Sequence, residues 1–242
     1  MKISSKRGFT LIELLVAMAV ASIVMAAIVS AYQIQVRGKN TQDAVMYMTQ
    51  NARAGLEVMA HDIRMAGCDP DDSADARIIT ANAGQLVFTR DINNGAGDNI
   101  SDGDCCDANE AIQYQLTNDA GGDGVNDSIS SGVECHLGRE TGPGLDPGCG
   151  GATGGLQPLA RNVDALNFVY LDEDGNVTAT PGDIRTIEVT IVARSGDDEG
   201  GLLFSHTDNT AYQNQRGQVI LPAQNDGFRR FRLTATVHCR NL

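Results

Sequence analysis

The 23 residues from Phe9 to Ala31 hold a single charge, Glu13, and three hydroxyls, those of Thr10, Ser22 and Ser30. About 20 apolar residues carry a helix across a bilayer, so this run is long enough to span one. Any water-soluble fold must therefore be built from the rest of the chain. Lys2, Lys6 and Arg7 all precede the run. The positive-inside bias then keeps residues 1–8 cytoplasmic and sends the remainder of the chain outward. A carboxylate at the centre of such a helix costs roughly 2.5–3.5 kcal/mol, and less near an end. Glu13 lies near the end, where it still calls for a partner charge. An ordinary secretory signal has a small-residue cleavage site after its apolar core. Here the small residue, Gly8, comes before it. Cleavage there removes only the basic leader, keeps the apolar helix, and creates a new cationic amine at Phe9.

The run does not end in a turn. Val45, Met48, Ala52, Leu56, Met59, Ile63 and Ala66 step by three or four residues, which predicts one amphipathic helix continuing to Ala66. Gly67, Cys68 and the pair Asp69-Pro70 supply its stop, and Gly38 and Gly55 are points where it can bend. A helix over 9–66 is about 85 Å long. Its outer half is expected to lie on a domain through the apolar stripe, its inner half to project into membrane or filament core. Downstream the period changes to two, in "QLVFTR", "AIQYQL", "ALNFVYLDEDGNV", "IRTIEVTIVAR" and "FRRFRLTATVHCR". Gly/Asp/Asn loops join these segments, which predicts antiparallel pairing. The expected fold is α+β: a long N-terminal α-helix packed on an antiparallel β-sheet domain with long Gly/Asp-rich loops at about 91–110 and 118–157. The expected division is 1–8 leader, 9–66 helix with 9–31 as its membrane or filament-core part, and 67–242 β-rich extracytoplasmic domain.

The stretch "KRGFTLIELLVAMAVASIVMAAIVSAY" resembles the N-terminus of type IV pilins and pseudopilins, the class III signal family. The resemblance implies that a prepilin peptidase cuts between Gly8 and Phe9 and N-methylates Phe9. It also implies that Glu13, the fifth mature residue, pairs in assembly with the Phe9 amine of its own chain or a neighbour. The blocks "HDIRMAGCDP", "LQPLARNVDALNFVYLDEDGNV", "IRTIEVTIVAR" and "RRFRLTATVHCRNL" resemble the PilW family of minor pilins. That implies a type IV pilin fold and a subunit of the type IV pilus, stored in the inner membrane and then displayed at the cell surface. Such a subunit joins other minor pilins and the major pilin to prime fibre assembly at the tip. It would support adhesion, twitching motility or DNA uptake, with a tip adhesin as a further partner. The J-type pseudopilin of type II secretion is the alternative, as is a membrane-anchored calcium-binding or adhesive domain that does not polymerise.

Of the net charge of -13, the first eight residues carry +3, and residues 9–66 balance four bases against four acids. Residues 67–242 therefore hold -16. A body so acidic repels nucleic acid and anionic lipid and tolerates a cation. Asp119, Asp123, Asn126 and Asp127 in "NDAGGDGVND" are the candidate calcium ligands. They lack the bidentate Glu of an EF-hand and the repeat of an RTX motif, and solvated acidic turns explain them as well. The six cysteines suggest disulfides in an exported body, with 15 possible pairings. Cys135–Cys149 closing the Gly-rich loop and Cys68–Cys239 tying helix end to last strand are the expected pairs, leaving Cys105 and Cys106. A zinc site at Cys105, Cys106, Cys135 and His136 lacks C-x-x-C spacing. His61, His136, His206 and His238 sit in no nucleophile or zincin motif, and no Walker motif is present. The chain is expected not to be an enzyme.

Overall fold

The structure, a computed structural model, describes residues 8–95, 100–129, 133–196 and 206–242. Lys2, Lys6 and Arg7 of the leader lie outside these residues. The chain divides into two compact units, Met1–Ala44 and Val45–Leu242, and one helix, α1 (Leu11–Arg64), runs through both.

Among the described residues of the first unit, α1 is the one regular element. Leu11, Ile12, Leu14, Leu15, Val16, Met18, Val20, Ile23, Val24 and the apolar residues beyond them are all exposed. The hydroxyls of Ser22 and Ser30 donate to the carbonyls of Ala19 and Ala26, at 2.8 and 2.9 Å. Both hydroxyls thus find an acceptor within the helix, as a hydrocarbon environment demands.

In the second unit the predicted stripe is the buried face of α1. Met48, Ala52, Met59, Ile63 and Ala66 are buried, and Val45 and Leu56 are half-buried. They pack on two antiparallel sheets. The first is a five-stranded meander of β1 (Ile78–Ala81), β2 (Leu86–Thr89), β3 (Ala111–Leu116), β4 (His136–Thr141) and β5 (Gln157–Arg161). The second holds β6 (Val163–Leu171), β7 (Thr186–Arg194) and β10 (Arg230–His238), with β7 in the middle. A short hairpin, β8 (Tyr212–Gln213) and β9 (Val219–Leu221), completes the set. Met59 and Ile63 share one core with Leu86, Phe88, Ile112, Tyr114, Leu137, Phe168, Ile187, Val189 and Ile191. Met48 and Ala52 cluster with Ala193, and Leu233 packs against them.

Two glycines set how closely the helix fits. A Cβ on Gly55 would stand 2.9 Å from the Ala160 Cβ and 3.3 Å from Leu137, so this residue serves close packing of the helix on β4 and β5. Gly67 ends the helix at φ +74, a left-handed conformation that favours glycine. Its Cα faces the C-terminal Asn241 and Leu242, leaving no room for a side chain. The Asn241 amide also donates to the Arg64 carbonyl at 3.2 Å, so the chain's last residues clamp the helix end.

The predicted strands fall in β2, β3, β6, β7 and β10. The predicted loop at 118–157 is shorter than expected, because β4 crosses it. "HLGRET" shows no alternation of apolar residues, since Arg139 and Glu140 occupy buried or half-buried positions.

Candidate functional site

The chemistry expected at the N-terminus sits on the first turn of α1. Thr10 is its N-cap, and the Glu13 N–H donates to the Thr10 hydroxyl at 3.3 Å. In return the Thr10 N–H and hydroxyl both donate to the Glu13 Oε2, each at 2.9 Å. This reciprocal pair is a capping box, which satisfies orphan donors at a helix start. Among the described residues no bond reaches the Glu13 Oε1. The T-x-x-E of "FTLIE" is the sequence signal for this box, one that the apolar run alone does not reveal. The box turns the one acid of the apolar run back towards Phe9, which is 93% exposed. It also puts a negative charge at the positive end of the helix dipole.

At the other end, α1 is pinned by a charge that sequence reasoning missed. Asp62 lies beside the buried stripe and is itself buried. It accepts from the Tyr114 hydroxyl at 2.7 Å, from the Arg139 Nε at 2.8 Å and from Arg90 at 3.4 Å. Burial alone would raise its pKa. The hydrogen bonds from Tyr114 and Arg139 and the charges of both arginines outweigh that and hold it below the usual carboxylate value. Burial, together with Asp62, pushes the Tyr114 hydroxyl far up, so it stays a donor. A single helical carboxylate thus ties α1 to β3, to β4 and to the residue after β2.

The candidate calcium ligands share one loop, but their oxygens serve that loop's own backbone. Asp119 accepts from the N–H groups of Gly122, Asp123 and Gly124 at 2.7, 3.2 and 2.7 Å. Asp123 accepts from Val125 at 2.9 Å, Asp127 from Ala120 at 2.7 Å, and Asn126 from Ser128 at 2.9 Å. Such turns arise wherever Asp and Asn meet glycine, with no ion required. Among the described residues, Asp102, Asp104 and Asp107 form a separate acidic group in a different, mostly exposed loop, with one oxygen of each within 4.8 Å of the others.

The disulfide expectations are corrected. Cys149 pairs with Cys106, not with Cys135, and Cys68 and Cys239 are both free, as are Cys105 and Cys135. The reason lies in how adjacent residues point. Cys105 turns inward and is buried, its thiol 3.6 Å from the Ala74 carbonyl, while Cys106 is half-exposed and meets Cys149 across two loops. Cys135 is wholly buried in the main core, out of the loop it was expected to close. With Cys106 consumed, the four-residue zinc set at Cys105, Cys106, Cys135 and His136 is lost too. Burial pushes the thiols of Cys105 and Cys239 up to about 12, which makes them poor nucleophiles. The bridge closes 43 residues. Replacing Cys106 and Cys149 with Ala is expected to lower stability by about 2–4 kcal/mol, read from urea unfolding. A non-reducing peptide map is expected to link these two cysteines alone.

Residues 3–29 match the family model described as the prokaryotic N-terminal methylation motif. A search of curated proteins gives no match. Among solved structures, a type IV-like pilin from Thermus thermophilus is similar at 15% identity and a TM-score of 0.47, over 80% of this chain and 97% of that one. The motif implies processing by a prepilin peptidase, and the exposed apolar helix behind it is consistent with membrane anchoring. By that motif, and by the one long helix that carries it, the chain is type IV pilin-like.

Proposed function

We propose that the chain is a minor pilin: a structural subunit, not an enzyme, held in the inner membrane with its N-terminus cytoplasmic. It is cut after Gly8, methylated at Phe9, and then packed helix to helix with other minor pilins and the major pilin at the tip of a type IV pilus. The carrying observation is the methylation motif on a helix whose apolar side chains stand exposed from Leu11 to Ile34. An exposed rod of that length needs a bilayer before assembly and other helices after it. In this reading the capping box holds the Glu13 Oε2, and Oε1 receives the methylated ammonium of a neighbouring Phe9. That pairing fixes the axial step of one helix on the next, the best-attested use of a lone buried charge.

The test is mass spectrometry of the protein from its native cells. The reading expects a mature chain beginning at N-methylated Phe9. A chain beginning at Met1, or beyond Ala31, overturns it. Glu13→Val is expected to be cut normally yet to enter fibres poorly, by immunoblot of sheared pili. Normal fibres in that variant would remove the pairing role while leaving the processing intact.

A further inference from the structure

Among the described residues, three of the four edges of the two larger sheets are guarded. β1 has four residues and a bulge between Ile78 and Thr80. β5 contains Pro158 and a bulge opposite Leu137 and Gly138. Beside β6, the Leu166 and Phe168 N–H groups donate to the carbonyls of Gly124 and Ala83, and Val177 bridges Leu171. Short length, proline, bulges and covering segments are the usual protections against strand addition.

β10 lacks the first three, and among the described residues the segment 212–215 meets it through side chains: the Gln215 amide donates to the Ala235 carbonyl at 3.1 Å, and the Arg232 guanidinium donates to the Gln213 carbonyl at 2.8 Å. The strand is nine residues long, without Gly or Pro, and pairs with β7 in unbroken register from Arg230↔Arg194 to His238↔Thr186. The Cys239 N–H donates to the Arg185 carbonyl and the Ser195 N–H to the Arg229 carbonyl, so odd-numbered positions exchange bonds with β7. Even-numbered residues therefore turn their backbone groups outward. The Tyr212 hydroxyl reaches the Arg230 carbonyl at 3.4 Å. Along Arg232, Thr234, Thr236 and His238, no strand among the described residues pairs with that edge.

The edge is also opposite in sign to its domain. Residues 227–242 contain four arginines and no acid, in a body of net -16. Arg232 and Arg240 are exposed. Asp226 and Asp208 are already engaged by Arg230, and Glu188 by Arg216. Two copies of β10 laid edge to edge would bring two basic strands together with no acid between them, which disfavours a twofold pair.

We infer that the β10 edge is a docking site for an acidic extended segment of another protein subunit, which adds to the three-stranded sheet as a fourth strand. The subunit would be a filament neighbour, so this rests on the pilin reading for its setting. Main-chain bonds from Arg232 to His238 supply the affinity, and Arg232 and Arg240 select an acidic strand.

The experiment uses full-length protein in detergent and a labelled nine-residue peptide of alternating threonine and glutamate, with a threonine–lysine peptide as control, read by fluorescence anisotropy. The acidic peptide is expected to bind about tenfold or more tighter than the basic one. Thr234→Pro removes an outward N–H but no bond to β7, and is expected to abolish binding with the unfolding midpoint kept. Reversing Arg232 and Arg240 to Glu is expected to exchange the preference, which keeps the test alive if the proline variant misfolds. Equal binding of both peptides, no binding, or binding unchanged by these substitutions overturns the inference. So does a dimer in sedimentation that Thr234→Pro dissolves, since the occupant is then a second copy. None of these results bears on cleavage at Gly8, so the two readings fail separately.

Discussion

Gly8→Val should leave the protein in its native cells at full length, beginning at Met1, with no N-methylated Phe9 by intact mass. The effect is close to all-or-none, and its cause is not folding. A Cβ built at Gly8 meets no atom within 4 Å, and α1 begins only at Leu11, after the Thr10–Glu13 box. The variant should insert, fold its outer unit and unfold at the same urea concentration as the parent. What it loses is access of a peptidase to the bond between Gly8 and Phe9, where glycine permits a close backbone approach. The uncut chain keeps Lys2, Lys6 and Arg7 and has no free amine at Phe9 to offer Glu13. It should therefore stay in the membrane fraction and be missing from sheared fibres. Normal trimming in this variant would detach the chain's processing from Gly8 and take the minor-pilin proposal with it.

The parts of this fold that are legible in sequence are those where burial follows a simple period. The stripe from Val45 to Ala66 and the alternation of Ile187, Val189 and Ile191 in β7 are set by which side chains leave water. The parts that stay hidden are those where a charged residue takes a core position. Asp62 and Arg139 occupy places that a hydropathy reading assigns to solvent, yet they bond to each other at 2.8 Å beside Tyr114. So β4 reads as loop in the sequence, and the anchor of α1 does not show. Connectivity is hidden for a different reason. Cys105 and Cys106 are adjacent in sequence but point to opposite sides of their loop, and no spacing rule states which of the two reaches Cys149. At the N-terminus the sequence holds more than its hydropathy shows, since T-x-x-E before an apolar run is a recognised helix-start signal.

Arg230→Met should destabilise the outer unit by about 3–5 kcal/mol, in urea unfolding of the full chain in detergent, whereas Arg232→Met two residues on should change it by about 0.5 kcal/mol or less. The two arginines lie on the same face of β10 and differ in what surrounds them. The Arg230 side chain is fully buried. Its Nε donates to Asp164 at 2.8 Å, its two terminal nitrogens to Asp226 at 2.6 Å each, and one of them also to Asp208 at 3.2 Å. Asp164 is wholly buried, and Arg194 stands 3.5 Å from it. Removing Arg230 leaves three carboxylates around one remaining guanidinium, and an uncompensated buried charge costs more than the lost pair was worth. The pH dependence gives the sign. Burial alone would raise the Asp226 pKa, but hydrogen bonds and charge from Arg230 outweigh it and hold it below the usual carboxylate value. A carboxyl depressed on folding stabilises above its unfolded pKa of about 4, and that contribution is lost as pH falls through the folded value. In the Met variant Asp226 loses that partner, and burial pushes it up, so it takes up its proton sooner. The gap between parent and variant should therefore be widest near neutral pH and narrow on acidification. A gap that stays constant from neutral pH to well below the carboxylate range would mean that Arg230 contributes packing and not charge, and that the carboxylates around it are held by the loop alone.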